Sequence, residues 1–93
     1  MSQRTDRIEA SIKAIEGYLD DAENAGDPDA MIKSVLFAHR KIVQTMAEID
    51  KLRDDLTRAG ARALVDQQVL LLEALLLRAI SGSDQRELKG WES

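Results

Sequence analysis

Residues 31–56 read MIKSVLFAHRKIVQTMAEIDKLRDDL, and the spacing of their apolar side chains decides the fold. Met31, Val35, Ala38, Ile42, Thr45, Ile49, Leu52 and Leu56 follow one another at steps of 4, 3, 4, 3, 4, 3 and 4. Residues three and four apart share one face of a helix, so this run is a heptad seam of the coiled-coil kind. In its first half Ile32, Leu36, Phe37, Val43 and Met46 fall off that seam and call for a second neighbour.

Working upstream, Gly26-Asp27-Pro28-Asp29 places a helix stop beside a helix start. Gly26 suits a left-handed residue after a helix, Asp27 an N-cap, Pro28 the first helical position and Asp29 the first turn. The seam helix therefore begins at 28 and is expected to run to about 59. Before it, Ile8, Ile12, Ile15, Leu19 and Ala22 repeat the 4, 3, 4, 3 spacing, which predicts a first helix over about 5–25 with Thr5 as its N-cap.

Downstream, the apolar phase shifts near Gly60, since the next stripe is Val65, Val69, Leu72, Leu76 and Ala79. A reversal at Arg58-Ala59-Gly60-Ala61 accounts for both the glycine and the shift, with one continuous bent helix as the alternative. A third helix over about 62–80 follows. Its runs Val69-Leu70-Leu71-Leu72 and Ala74-Leu75-Leu76-Leu77 put apolar side chains all round the axis, the mark of a helix that is covered on every side. Ser81-Gly82-Ser83-Asp84 reads as its end, leaving residues 82–93 as a mobile polar tail outside a single helical domain of residues 1–81. The fold class expected is all-α: three helices, a long coiled-coil-like hairpin and an oligomeric bundle.

Composition agrees. The 93 residues include no cysteine, one histidine and one each of Phe, Tyr and Trp, the usage of helical bundles. Without cysteine, disulfides and thiolate metal sites drop out, and lone His39 removes most imidazole sites. No cofactor is expected. The longest apolar stretch, Val69–Ile80, is too short to span a bilayer and holds Glu73 and Arg78, so neither a membrane span nor a leader is expected and the reading is cytoplasmic.

The net charge of −4 is uneven, because residues 1–29 carry eight acids against three bases. That makes the first helix an acidic surface and counts against general nucleic-acid or anionic-membrane binding.

Two companion helices cannot cover a helix that is apolar all round. Leu36, Phe37, Val43, Leu70, Leu71, Leu75 and Leu77 are therefore the expected oligomer interface, each removed from water at about 1.5–3 kcal/mol. The subunit number cannot be read from the seam, whose positions give no clear vote.

Chemistry is sparse. His39 has no acidic or histidine neighbour at helical spacing, so a half-buried packing residue is expected, with a pH-sensitive contact as the sharper alternative. Asp20, Asp21, Glu23, Asp27 and Asp29 lack the order of a calcium loop and read as capping and a solvated face, or as a docking surface for a basic partner. Glu73 and Arg78 read as an outward stripe or an ion pair across subunits. Lys33, Arg40 and Lys41, and then Lys51, Arg58 and Arg62, form short basic stripes that are solvated faces or weak phosphate contacts. In the tail, Leu88 and Trp91 either dock back on the bundle or anchor another protein. No phosphate loop or nucleophile motif occurs, so no enzyme is expected.

The layout of a heptad arm Met31–Leu56, a turn near Gly60, an apolar return helix Leu64–Ile80 and a tail with Leu88 and Trp91 resembles the oligomerisation core of phage-type small terminase subunits, gene-transfer agents included. The resemblance covers residues 28–81 and is one of layout. It implies a ring in a DNA-packaging machine, a tail that engages the motor, and DNA contact that is weak or uses the basic stripes, since no helix-turn-helix segment stands ahead of the core. Against it stand a homo-oligomeric adaptor presenting its acidic helix and tail to a protein partner, which is the leading expectation, and a regulator or chaperone that sequesters a partner's helix.

Overall fold

The computed structural model describes the backbone of residues 3–92 and the side chains of residues 5–81. Three helices succeed one another, α1 (Gln3–Glu23), α2 (Pro28–Asp50) and α3 (Asp55–Glu92), with no strand among the described residues. Two four-residue connections join them, so α2 runs antiparallel to both α1 and α3 and lies between them as the central helix.

The heptad seam of α2 is the spine of the core. Met31, Val35, Ala38, Ile42, Thr45, Ile49 and Leu52 are all buried. Facing them, α1 contributes Ile8, Ile15, Leu19 and Ala22, and α3 contributes Val65, Leu72, Leu75 and Ala79. Thr45 is the one polar residue in this core among the described residues, and its Oγ1 donates to the Lys41 carbonyl at 2.6 Å, so its hydroxyl is not left unpaired.

The first connection forms where the sequence places it. Asp27 is the N-cap of α2, with φ −147° and ψ 161°, and its Oδ1 accepts from the Ala30 N–H at 2.8 Å while Pro28 opens the helix. Gly26 is a correction in detail, because no glycine or other described residue adopts a positive φ. The α1 end is closed instead by Asn24 N–H and Nδ2 donating to the Asp20 carbonyl. Thr5 lies inside α1, which begins at Gln3.

The second connection is the larger correction. The chain reverses at Lys51-Leu52-Arg53-Asp54, not at Gly60, which sits inside α3 with open space around it. Lys51 and Leu52 close the end of α2 with backbone bonds to Glu48 and Ile49, and Leu52 drops its side chain into the core. Asp54 then caps α3, its Oδ1 accepting from the Thr57 N–H at 2.9 Å, and Arg58 reaches back to donate to the Leu52 carbonyl at 2.9 Å. The turn uses ordinary right-handed and extended backbone, so it needs no glycine.

The Thr57 backbone N–H, seconded by the Thr57 hydroxyl and the Leu56 N–H, holds the Asp54 carboxyl below its ordinary value. A depressed folded-state pKa stabilises the fold above the unfolded value and loses that contribution as pH falls through the folded one. Thermal melts of Asp54→Asn and the natural chain should therefore differ by a constant offset at neutral pH. That offset should begin to shrink below the ordinary carboxylate value of about 4 and go on shrinking as pH falls through the lower folded one.

α3 continues as helix to Glu92, through the Ser81-Gly82-Ser83-Asp84 run where a break is expected. A single glycine costs a helix about 1 kcal/mol, too little to stop one already propagated over many turns. At about 1.5 Å per residue its 38 residues match the 60 Å long axis of the molecule, so its last turns pass beyond α1 and α2. Among the described residues no helix is long and apolar enough to cross a membrane.

Candidate functional site

The expected interface residues divide among four places. Leu75 is a correction, since it is buried in the chain's own core and presents nothing to a partner. Phe37 is turned toward α1, where its ring stacks on Tyr18 with centroids 5.8 Å apart. Leu71 lines a groove between α1 and α3. Leu36, Val43, Leu70 and Leu77 are the set that shares one open surface.

That surface is the side of the α2–α3 hairpin turned away from α1. Arg62 of α3 meets Asp50 of α2 at 3.5 Å, which sets the register of the antiparallel pair. Stepping along both helices from that contact brings Val43 within one residue of Leu70 and Leu36 within one residue of Leu77. Leu36, Val43, Leu70, Leu77 and Ile80 are 61%, 56%, 67%, 64% and 45% exposed, an apolar patch in two rows. The same stepping puts His39 level with Glu73, both exposed, in the middle of it. Exposure of His39 corrects the expected half-buried packing role: its step of three from Ile42 puts it at the rim of the seam, where α3 does not reach.

The groove between α1 and α3 is the second surface. α1 and α3 touch least of the three helix pairs and leave a depression of about 340 Å³ lined by Ile12, Glu16, Leu19, Asp20, Leu64 and Leu71, together with Gln67 and Gln68. Gln68 bridges it, its Nε2 donating to the Ile12 carbonyl at 2.9 Å. The other end of that amide, Oε1, is buried without a hydrogen-bond partner. Through Ile12 and Leu64 the depression continues into a smaller one of about 150 Å³ that reaches Glu9, Leu52 and Ala61.

The basic residues do not form a single field. Arg58 is committed to Asp55 and the Leu52 carbonyl, and Arg62 to Asp50. Arg40 and Lys41 stand together beside Tyr18, Phe37 and Gln44 at the opposite edge of α2, with Lys33 exposed one further step along. Glu73 and Arg78 are both exposed, in keeping with an outward stripe. Among the described residues no three His, Asp or Glu side chains could hold a metal ion. Leu88 and Trp91, expected to anchor a partner, have side chains outside the described residues.

Sequence reasoning missed the groove. Its signal was present, because Glu9, Glu16 and Glu23 recur at seven-residue spacing one step from Ile8, Ile15 and Ala22. Only the sparse approach of α1 to α3 turns that row into a wall. Comparison with known proteins gives no match: no protein-family model, no curated protein and no solved structure is significantly similar to this chain.

Proposed function

We propose that this chain is a non-enzymatic helical interaction module that assembles with copies of itself through the open face of the α2–α3 hairpin and offers its acidic α1 to a protein partner in the cytoplasm. The observation supporting assembly is the two-row patch of Leu36, Val43, Leu70, Leu77 and Ile80. At their exposures these side chains amount to roughly 500 Å² of apolar surface, the size at which a monomer's largest patch is often functional. Two such faces packed together remove about 1,000 Å², the lower bound of a specific interface.

His39 and Glu73 in the middle of the patch fit this reading. A two-fold axis parallel to the helices through the patch centre would carry His39 of one copy toward Glu73 of the partner subunit, giving each ionisable group an opposite number as it leaves water. The C-terminal segment with Leu88 and Trp91 is a second proposed contact for the partner.

The deciding experiment is the absolute mass in solution by light scattering over a tenfold or wider dilution. A mass of several protomers that persists on dilution is expected. A monomer throughout would remove the proposal, and a ring-sized mass would turn it toward the packaging-subunit layout.

A further inference from the structure

We infer that the groove between α1 and α3 is a docking site for an amphipathic helix of another protein, one with leucine-like side chains along its buried stripe and lysine or arginine along one edge. The inference deepens the adaptor reading by giving the partner a chemistry, and it rests on a different surface from the one proposed for self-assembly.

Three features of the groove specify the occupant. Its floor is apolar, with Ile12 and Leu19 from α1 and Leu64 and Leu71 from α3. From Thr5 to Asp20 it spans about 23 Å at the helical rise, the length of four turns of a guest helix. Helix-in-groove recognition reads just such a stripe of residues at three- and four-residue spacing.

The walls differ in charge, and that sets the guest's polarity. The α1 side carries Glu9, Glu16 and Asp20, with Glu23 on the same row, while the α3 side offers the uncharged Leu64, Gln67 and Leu71. No lysine or arginine lines either depression. A guest helix lying here meets carboxylates along one edge only.

A second copy of this chain suits the groove less well. Its exposed α3 row of Leu70 and Leu77 is flanked by Asp66 and Glu73, the wrong sign for the α1 wall, and Leu36 and Val43 belong to the α2–α3 face.

The test is a fluorescently labelled helical peptide with leucines at heptad spacing and lysines along one flank, titrated into the full chain by anisotropy. Its twin has glutamate in place of each lysine. The lysine peptide is expected to bind about tenfold or more tightly than its twin, the sum of two or more exposed ion pairs, and to weaken with added salt. Glu16→Lys with Asp20→Lys should reverse that preference with helicity unchanged. Asp21→Lys, on the other side of α1, should leave it in place.

Equal binding of the twins, or binding of neither, would overturn the inference, as would a preference that survives the double charge reversal. A lower assembly mass for the Glu16→Lys, Asp20→Lys chain would also overturn it, by showing that a second copy fills the groove. The mass of the natural chain tests the α2–α3 face separately, so the two readings fail independently.

Discussion

Leu70→Glu combined with Leu77→Glu is expected to give a monomer at every concentration where the natural chain assembles, with helical content unchanged. Both side chains are more than half exposed in the single chain, so neither substitution removes core packing. They stand seven residues apart on the same row of α3, so both would enter the same interface. Each loses about 1.5–3 kcal/mol of apolar burial and leaves a carboxylate to be desolvated beside Glu73. Together this exceeds about 4 kcal/mol, or roughly a thousandfold in association. Light scattering reads the mass and circular dichroism the helicity. Leu71→Glu is the control: adjacent in sequence but lining the α1–α3 groove, it should leave the mass alone. If the double substitution keeps the assembly and Leu71→Glu breaks it, the two surfaces have been assigned in the wrong order.

The contrast between Leu70, Leu71 and Leu75 shows how far the site could be read beforehand. Periodicity marks all of them as apolar on a helix that is apolar all round, and it implies that some must be uncovered. It does not say which, because that depends on where α1 lies around α3. In the fold, the side holding Leu64 and Leu71 lies toward α1, which does not close on it, Leu72 and Leu75 are buried in the core shared by the three helices, and Leu70 and Leu77 are left bare. The stacking of Phe37 was hidden for the same reason, since its partner Tyr18 lies nineteen residues away on another helix.

The helices were legible from single-chain rules wherever a cap coincided with the end of an apolar stripe. Asp27-Pro28 is such a place, and α2 starts there. Near residue 60 two signals conflicted: the heptad count runs on through Leu56, and the glycine stands four residues beyond. The stronger signal was Asp54 with Asp55 behind it, a cap and an acidic first turn, but it lies inside the extended seam and reads as ordinary surface charge. A reversal built without left-handed backbone leaves no glycine to announce it.

That conflict gives the second large prediction. If α2 ended near 59, Ile49 and Leu56, both on the heptad seam, would be equally costly to truncate. In the fold Ile49 is fully buried and Leu56 is 86% exposed on α3. Ile49→Ala should therefore cost about 2–5 kcal/mol, from lost burial and the cavity left behind. For a chain of this length that lowers the thermal midpoint by roughly 10–25 °C, and it consumes a large part of a total stability of only about 5–14 kcal/mol. Leu56→Ala should stay within about 0.5 kcal/mol of the natural chain, the range of an exposed substitution. Calorimetry or a chemical melt of the two variants separates the alternatives directly. Equal losses at both positions would mean that the seam runs on and the turn at residues 51–54 is not where the chain reverses. A loss confined to Ile49 means that the hairpin closes at Asp54, which is the geometry that brings Leu70 within one residue of Val43 and sets the two exposed apolar rows side by side.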